Sequence, residues 1–387
     1  MRPPWRRLLA ACLSCCACSL VAAQDTQNWL NESWVRVPVT VTQANDTPLN
    51  STMQITRYRP EGKGPFPLVI INHGRSTENR DSPPRQRMDY LAAYFVRRGF
   101  AVLVPTRVGY GESAFEADPE ASGQCRNRNY NAALRPAVEQ ISATLTYARS
   151  QDWIDTRRHW VAGVSVGGIA SVAYAATRPE GLEAYINFSG GAGGNPVTRP
   201  GEPCQPEKLA AVFESAGSRI QVPGLWLYAQ NDRYFSKQHV QSWFARYAQT
   251  NQQARLEMLP AVGDDGHTLA SAAPQLWRPL LDRFLAKLDV AAPRVASAQS
   301  PSGFARIDDV QAVPWISNHM RNAQYPAFLA SDRPRAFAIA RDGTVGWAST
   351  PRDAVAQALK FCQRKTNEAC MLYAVDDDVV WAPPATP

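Results

Sequence analysis

Ser165 sits in Gly163-Val-Ser-Val-Gly167, between a strand-like apolar segment (159–163) and a helix-like one (166–177). A serine hydroxyl becomes a useful nucleophile only when a base takes its proton. The Gly-x-Ser-x-Gly pattern supplies the geometric half of that requirement. Glycines on both sides remove Cβ atoms that would obstruct a sharp strand-to-helix turn. The turn lifts the hydroxyl above the sheet edge and aims the Val166 N–H at a reacting carbonyl. Taken alone, the pattern fits a chance glycine-rich turn equally well, so the rest of the chain must supply the base.

The chain has five histidines, few enough to sort by position. His73 follows a strand-like run and reads as an organiser of its loop. His159 opens the strand before Ser165, His239 falls in a surface-type helix, and His319 lies in the C-terminal part. His267 lies in Gly263-Asp-Asp-Gly-His-Thr-Leu269, a glycine-rich loop after the last strand of the alternating series. In a parallel sheet that loop lies at the carboxyl edge, where Ser165 also emerges. His267 is therefore the expected base. Such a base needs a carboxylate to hold its tautomer and stabilise the imidazolium. Asp232, in Gln230-Asn-Asp-Arg233 just after a strand, is favoured over Asp264 and Asp265, which read as loop-capping or solvated residues. The developing oxyanion needs two donors. Val166 N–H is one; Arg75 N–H, in the loop after 68–72, is the other, with Gly74 allowing close backbone approach. Arg75, Arg107 and Arg233 each follow a strand. They are expected as loop residues whose heads reach solvent, with binding of an acidic substrate group as the alternative.

These residues need a scaffold. Segments 35–41 and 53–58 read as an antiparallel hairpin at a sheet edge. Segments 67–72, 100–105, 159–163, 182–188, 224–229 and 256–259 read as further strands. Helical spacing covers 88–98, 131–150, 166–177, 237–249 and 277–288. The alternation predicts an α/β fold: a mainly parallel sheet with helices on both faces. This domain is expected over 24–289, followed by an Ala/Ser/Pro-rich linker (290–303). A small α+β module (304–387) then holds strands 336–340, 344–348 and 371–375, an Asp342-Gly343 turn, and a helix over 353–362.

Residues 1–23 read as a signal peptide. Arg2, Arg6 and Arg7 precede an apolar stretch (8–23), which ends in Val21-Ala-Ala23 and is short for a membrane span. The expectation is an exported protein, periplasmic or secreted. Lipidation at Cys12, within Leu9-Ala-Ala-Cys12, is the lesser alternative. Cleavage would lower the formal net charge from +7 to +4, too mild to argue for nucleic acid. It would leave four cysteines: Cys125, Cys204, Cys362 and Cys370. An even count in an exported chain predicts two disulfides. Proximity favours Cys362–Cys370, leaving Cys125–Cys204, which would pin a lid over Ser165. Zinc is the weaker reading, because no histidine lies at ligand spacing near either pair.

Five segments together resemble the α/β-hydrolase superfamily: 68–74, 104–111, 163–168, 228–232 and 265–267. Within it they are similar to the dienelactone-hydrolase-like and prolyl-oligopeptidase-like branch, over residues 35–288. The resemblance implies Ser165 as nucleophile, Asp232 as acid and His267 as base, in the chain order of that superfamily. It also implies ester hydrolysis through an acyl-enzyme, with a small-molecule ester as partner and no metal or cofactor. One departure matters: dienelactone hydrolases carry cysteine at the elbow, and serine here favours ordinary esters. A small-peptide peptidase is the alternative within the fold, and a catalytically inactive binding protein is the alternative outside it. The C-terminal unit resembles a small module appended to bacterial exported proteins.

Overall fold

The first two strands, β1 (Ser33–Thr42) and β2 (Pro48–Tyr58), form the expected antiparallel edge hairpin, with Val35 opposite Ile55. Then come β3 (Phe66–Asn72), α1 (Asp89–Val96), β4 (Ala101–Thr106), α2 (Tyr130–Arg149), β5 (Ile154–Val164), α3 (Val166–Ala175) and β6 (Leu182–Phe188). The series continues through α4 (Pro206–Gly217), β7 (Gly224–Ala229), α5 (Lys237–Ala248), β8 (Ala254–Leu259), a short α6 (Leu269–Ala272) and α7 (Pro274–Ala286). The computed structural model describes residues 30–60, 62–76, 78–289, 301–331, 335–350 and 354–383.

The eight strands lie in the order β1-β2-β4-β3-β5-β6-β7-β8, and every pairing from β4 to β8 is parallel. Side chains alternate across a strand, so a strand buried on both faces must be apolar throughout. β3 illustrates this: Leu68 and Ile70 enter one core, Val69 and Ile71 the other. On the first face Leu134, Ile141, Ile169, Phe213 and Trp243 bring in α2 to α5. On the second, Leu91, Phe95, Trp277 and Leu281 bring in α1 and α7.

Helix α4 lies between the predicted strands 182–188 and 224–229, outside the five segments with helical spacing. Pro206 starts it, where a missing N–H costs nothing. Leu209, Val212, Phe213 and Ala216 turn its buried face to the sheet.

The C-terminal unit holds α8 (Tyr325–Ala330), β9 (Arg335–Ile339), β10 (Val345–Ser349), α9 (Ala354–Gln363), β11 (Met371–Val375) and β12 (Asp378–Val379). Its antiparallel sheet runs β10-β9-β11-β12. Phe337, Ile339, Tyr325 and Tyr373 form a core on one face, while Ala354, Ala358 and Cys362 of α9 cover the other. The expected signal peptide (1–23) with Cys12, linker residues 290–300 and Asp353 lie outside the described residues. Among the described residues, no helix is long and apolar enough to cross a membrane.

Candidate active site

Ser165 lies between the end of β5 and the start of α3, with φ 57° and ψ −124°. Few side-chain-bearing residues adopt a positive φ, and such strain persists only where the surroundings fix it. The flanking glycines do so. A Cβ on Gly163 would lie 2.0 Å from Gly167 O, and one on Gly167 would lie 2.2 Å from Asn72 O. The Ser165 N–H donates to Phe188 O at 2.9 Å, tying the turn to β6. Gly74 backs onto the same turn: a Cβ there would meet Ser165 Cβ at 3.2 Å and Val164 O at 3.4 Å. The segment Gly74-Arg75 therefore runs directly beside the serine.

Asp232 follows β7 and is buried. Its Oδ2 lies 3.0 Å and its Oδ1 3.1 Å from His267 Nδ1. Oδ1 also accepts from the N–H groups of Tyr234 and Phe235, at 2.8 and 3.0 Å, which fixes the carboxylate. The His267 ring stacks on Tyr234 at 4.0 Å and meets Phe235 edge-on at 5.4 Å. Asp265 acts as the expected loop cap, accepting from the N–H groups of His267 and Arg233 at 2.9 and 3.0 Å. Asp264 is exposed. The structure thus joins Asp232 to His267. It draws no hydrogen bond between His267 and Ser165: Nε2 is buried without a partner among the described residues.

Ser165, Val166, Arg75, Tyr130, Tyr234 and Phe235 are among the residues lining one cleft of about 530 Å³. Two loops frame it, 107–129 after β4 and 189–205 after β6, and the Cys125–Cys204 disulfide joins them. Cys362 is bonded to Cys370 in the C-terminal unit.

The remaining histidines sit elsewhere. His73 is buried; its Nδ1–H donates to Gly74 O at 2.6 Å, and its Nε2 accepts from Arg107 N–H at 3.1 Å. Burial and the adjacent Arg107 charge hold it neutral, with its pKa well below the usual value. His73 therefore organises the Gly74 loop. His239 pairs with Glu202 and stacks on Trp243.

Two arginines depart from expectation. Arg107 is fully buried: it donates to Glu120 Oε1 at 2.5 Å and to His73 O at 2.8 Å. Arg75 donates to Asp118 and, at 3.0 Å, to Tyr110 Oη, which in turn donates to Glu120 at 2.9 Å. Burial opposes both charges, and the carboxylate partners outweigh it, raising both pKa values. Arg107 is sealed from solvent and Arg75 is largely so, because desolvated arginines need fixed counter-charges and both have one. Only Arg233 behaves as a surface residue, donating to Pro196 O at 2.9 Å. Sequence reasoning missed Asp118, Glu120 and Tyr110, which hold the Gly74-Arg75 segment in place; the acids Glu112, Glu116, Asp118 and Glu120 in the loop after β4 were the available signal. Among the described residues no three His, Cys, Asp or Glu side chains gather as a metal site requires.

The profile of the X-Pro dipeptidyl-peptidase (S15) family matches residues 51–212, which include most of β2, all of β3 to β6 and the elbow. Over 148 residues the chain is 30% identical to the quorum-quenching protein AidA of Acinetobacter baumannii, a match covering 36% of this chain and 43% of that protein. The chain thus spans under half the length of this curated relative. The chain has the α/β-hydrolase fold. Solved structures similar to it include an esterase of Pyrococcus furiosus, with TM-score 0.46 and 14% identity, covering 67% of this chain and 91% of the esterase. Another is a dienelactone hydrolase of Klebsiella pneumoniae, described as putative, with TM-score 0.44 and 15% identity, covering 66% of this chain and 98% of that one.

Proposed function

We propose that this α/β-hydrolase cleaves carboxylic esters of small molecules through an acyl-enzyme on Ser165. His267 Nε2 takes the Ser165 proton as Oγ attacks the ester carbonyl, while Asp232 holds Nδ1–H and stabilises the imidazolium. The N–H groups of Val166 and Arg75 receive the oxyanion, with Gly74 keeping the approach open. The imidazolium then protonates the leaving alkoxide. Water, activated by the same histidine, releases the acid and restores Ser165.

The observation that carries this reading is the Asp232–His267 hydrogen bond, with the opposite ring nitrogen buried and unpartnered among the described residues and Ser165 raised on its turn in the adjoining cleft. A fluorophosphonate probe tests it. The protein should label, Ser165→Ala should not, and ester turnover should fall by about 10⁴-fold or more in that variant. A wild-type protein that neither labels nor turns over esters is a binding protein on a hydrolase scaffold.

The S15 match favours peptide cleavage as the second reading. p-Nitrophenyl acyl esters compared with aminoacyl amides separate the two. Quorum quenching, the role in the name of the Acinetobacter relative, is a candidate role for either. We also propose export to an oxidising compartment, supported by the two disulfides; cell fractionation tests it.

A further inference from the structure

Arg128 and Arg199 both line the cleft that holds Ser165. They come from its two framing loops, 71 positions apart in the sequence, and meet at the disulfide. Arg199 Nη1 lies 2.8 Å from Cys125 Sγ, and Arg128 Nη2 lies 3.6 Å from Cys204 Sγ. Because those sulfurs are bonded to each other, the two guanidinium groups converge on one spot.

Their partners among the described residues are all neutral. Arg128 donates to Ser122 Oγ at 2.9 Å, and its Nε is buried without a partner among the described residues. Arg199 donates to the carbonyls of Gly193 and Glu202, at 3.3 and 3.5 Å. Neither forms an ion pair among the described residues. The carboxylates nearby are committed elsewhere or sit at the rim. Asp118 holds Arg75, Glu120 holds Arg107, the Glu202 carboxylate holds His239, and Glu78 is exposed. Burial and the Arg199 and Arg75 charges pull Arg128 below the usual arginine value. Two cations gathered without a counter-ion repel each other and lose hydration, so a ligand that supplies the missing charge is favoured. Guanidinium forks are well shaped to receive a carboxylate or phosphate.

We infer that Arg128 and Arg199 form an anion-binding subsite, and that the preferred substrates are esters carrying a second, negatively charged group. Small or apolar lining residues, Gly191, Ala192, Ala133 and Leu134, offer no competing charge in the cleft. The inference rests on the hydrolase reading for the ester, but not for the anion site. It assigns specificity to residues other than the three strand-end arginines.

Two measurements test it. The first is kcat/KM for mono-p-nitrophenyl glutarate relative to p-nitrophenyl valerate, its uncharged counterpart. The wild type should favour the charged ester. Arg128→Gln and Arg199→Gln should each lower that ratio by about tenfold or more, the size expected for losing a charge-assisted hydrogen bond. Arg199→Lys should retain part of the preference. Arg126→Gln removes the same charge from an exposed position outside the cleft and should leave the ratio alone. The second measurement needs no turnover: calorimetric binding of glutarate, and separately of inorganic phosphate, to Ser165→Ala with and without Arg128→Gln. Binding that weakens on substitution supports the subsite, and the tighter anion identifies the charged group. Glutarate and phosphate that both fail to bind, or an unchanged ester ratio in both glutamine variants, overturns it. A protein that binds glutarate through Arg128 yet never labels with fluorophosphonate would sink the hydrolase reading and leave the anion site standing.

Discussion

Buried histidines sit on both sides of the elbow, and burial disfavours the charged form of each. His73 positions the Gly74 loop, while His159 lies fully buried within β5, with Nε2 3.2 Å from Tyr174 Oη. Burial lowers the His159 pKa to about 4. In the unfolded chain the same ring titrates near ~6.5. Above that pH both states are neutral, and stability is at its full value. Between about pH 6.5 and 4 the unfolded chain binds a proton that the folded chain refuses, so stability falls as pH falls. A shift of this size corresponds to roughly 3 kcal/mol for His159, and His73 adds loss in the same direction. Urea unfolding measured from pH 7 to pH 4 should show this decline, and His159→Gln should flatten it. An equal slope in wild type and variant would assign the acid sensitivity to other groups.

At the scale of elements, the cleft depends on two long loops rather than on strands. The Cys125–Cys204 bond closes a separation of 79 residues, against 8 for Cys362–Cys370. In the chain-entropy account, the longer closure removes more unfolded-state freedom. Replacing both Cys125 and Cys204 by serine should cost about 2–4 kcal/mol in urea unfolding. The variant should also raise KM for the charged ester, because Arg128 and Arg199 would lose their common anchor. A variant that loses stability but keeps KM would mean that the loops hold their own shape.

These loops also mark where the sequence stopped being readable. The buried strands were legible because a two-sided burial demand writes a continuous apolar run, as in Leu68-Val-Ile-Ile71. Ser165 was legible because its turn requires glycine at fixed offsets, and Asp232 and His267 because both follow strands. Helix α4 had a proline start and an apolar stripe, but it follows a long loop with no periodic pattern of its own. Arg107 meets His73 and Glu120 only in the folded chain. Arg128 and Arg199 gain their meaning from a disulfide, and spacing along the chain carries none of that.

Across the whole molecule, two sheets each bury their own core. The clusters around Trp160 and Trp226 belong to the eight-stranded sheet, and those around Phe337 and Ala358 to the four-stranded one. Contacts between the units include polar ones: Arg97 Nη1 donates to Ser349 Oγ at 2.9 Å, and Arg278 Nη1 reaches Ala330 O at 3.5 Å. Separate cores joined partly by side-chain hydrogen bonds favour separate melting, since cooperativity follows shared buried apolar surface. The full chain should therefore show two calorimetric transitions. The smaller unit depends more on its short disulfide, because a core of that size stabilises weakly. Replacing Cys362 and Cys370 by alanine should lower one transition while the other keeps its midpoint. Fluorophosphonate labelling of Ser165 should persist above the lower transition and vanish with the upper one. If the variant instead shifts a single transition and labelling falls with it, the small sheet is part of the cooperative unit that holds the elbow.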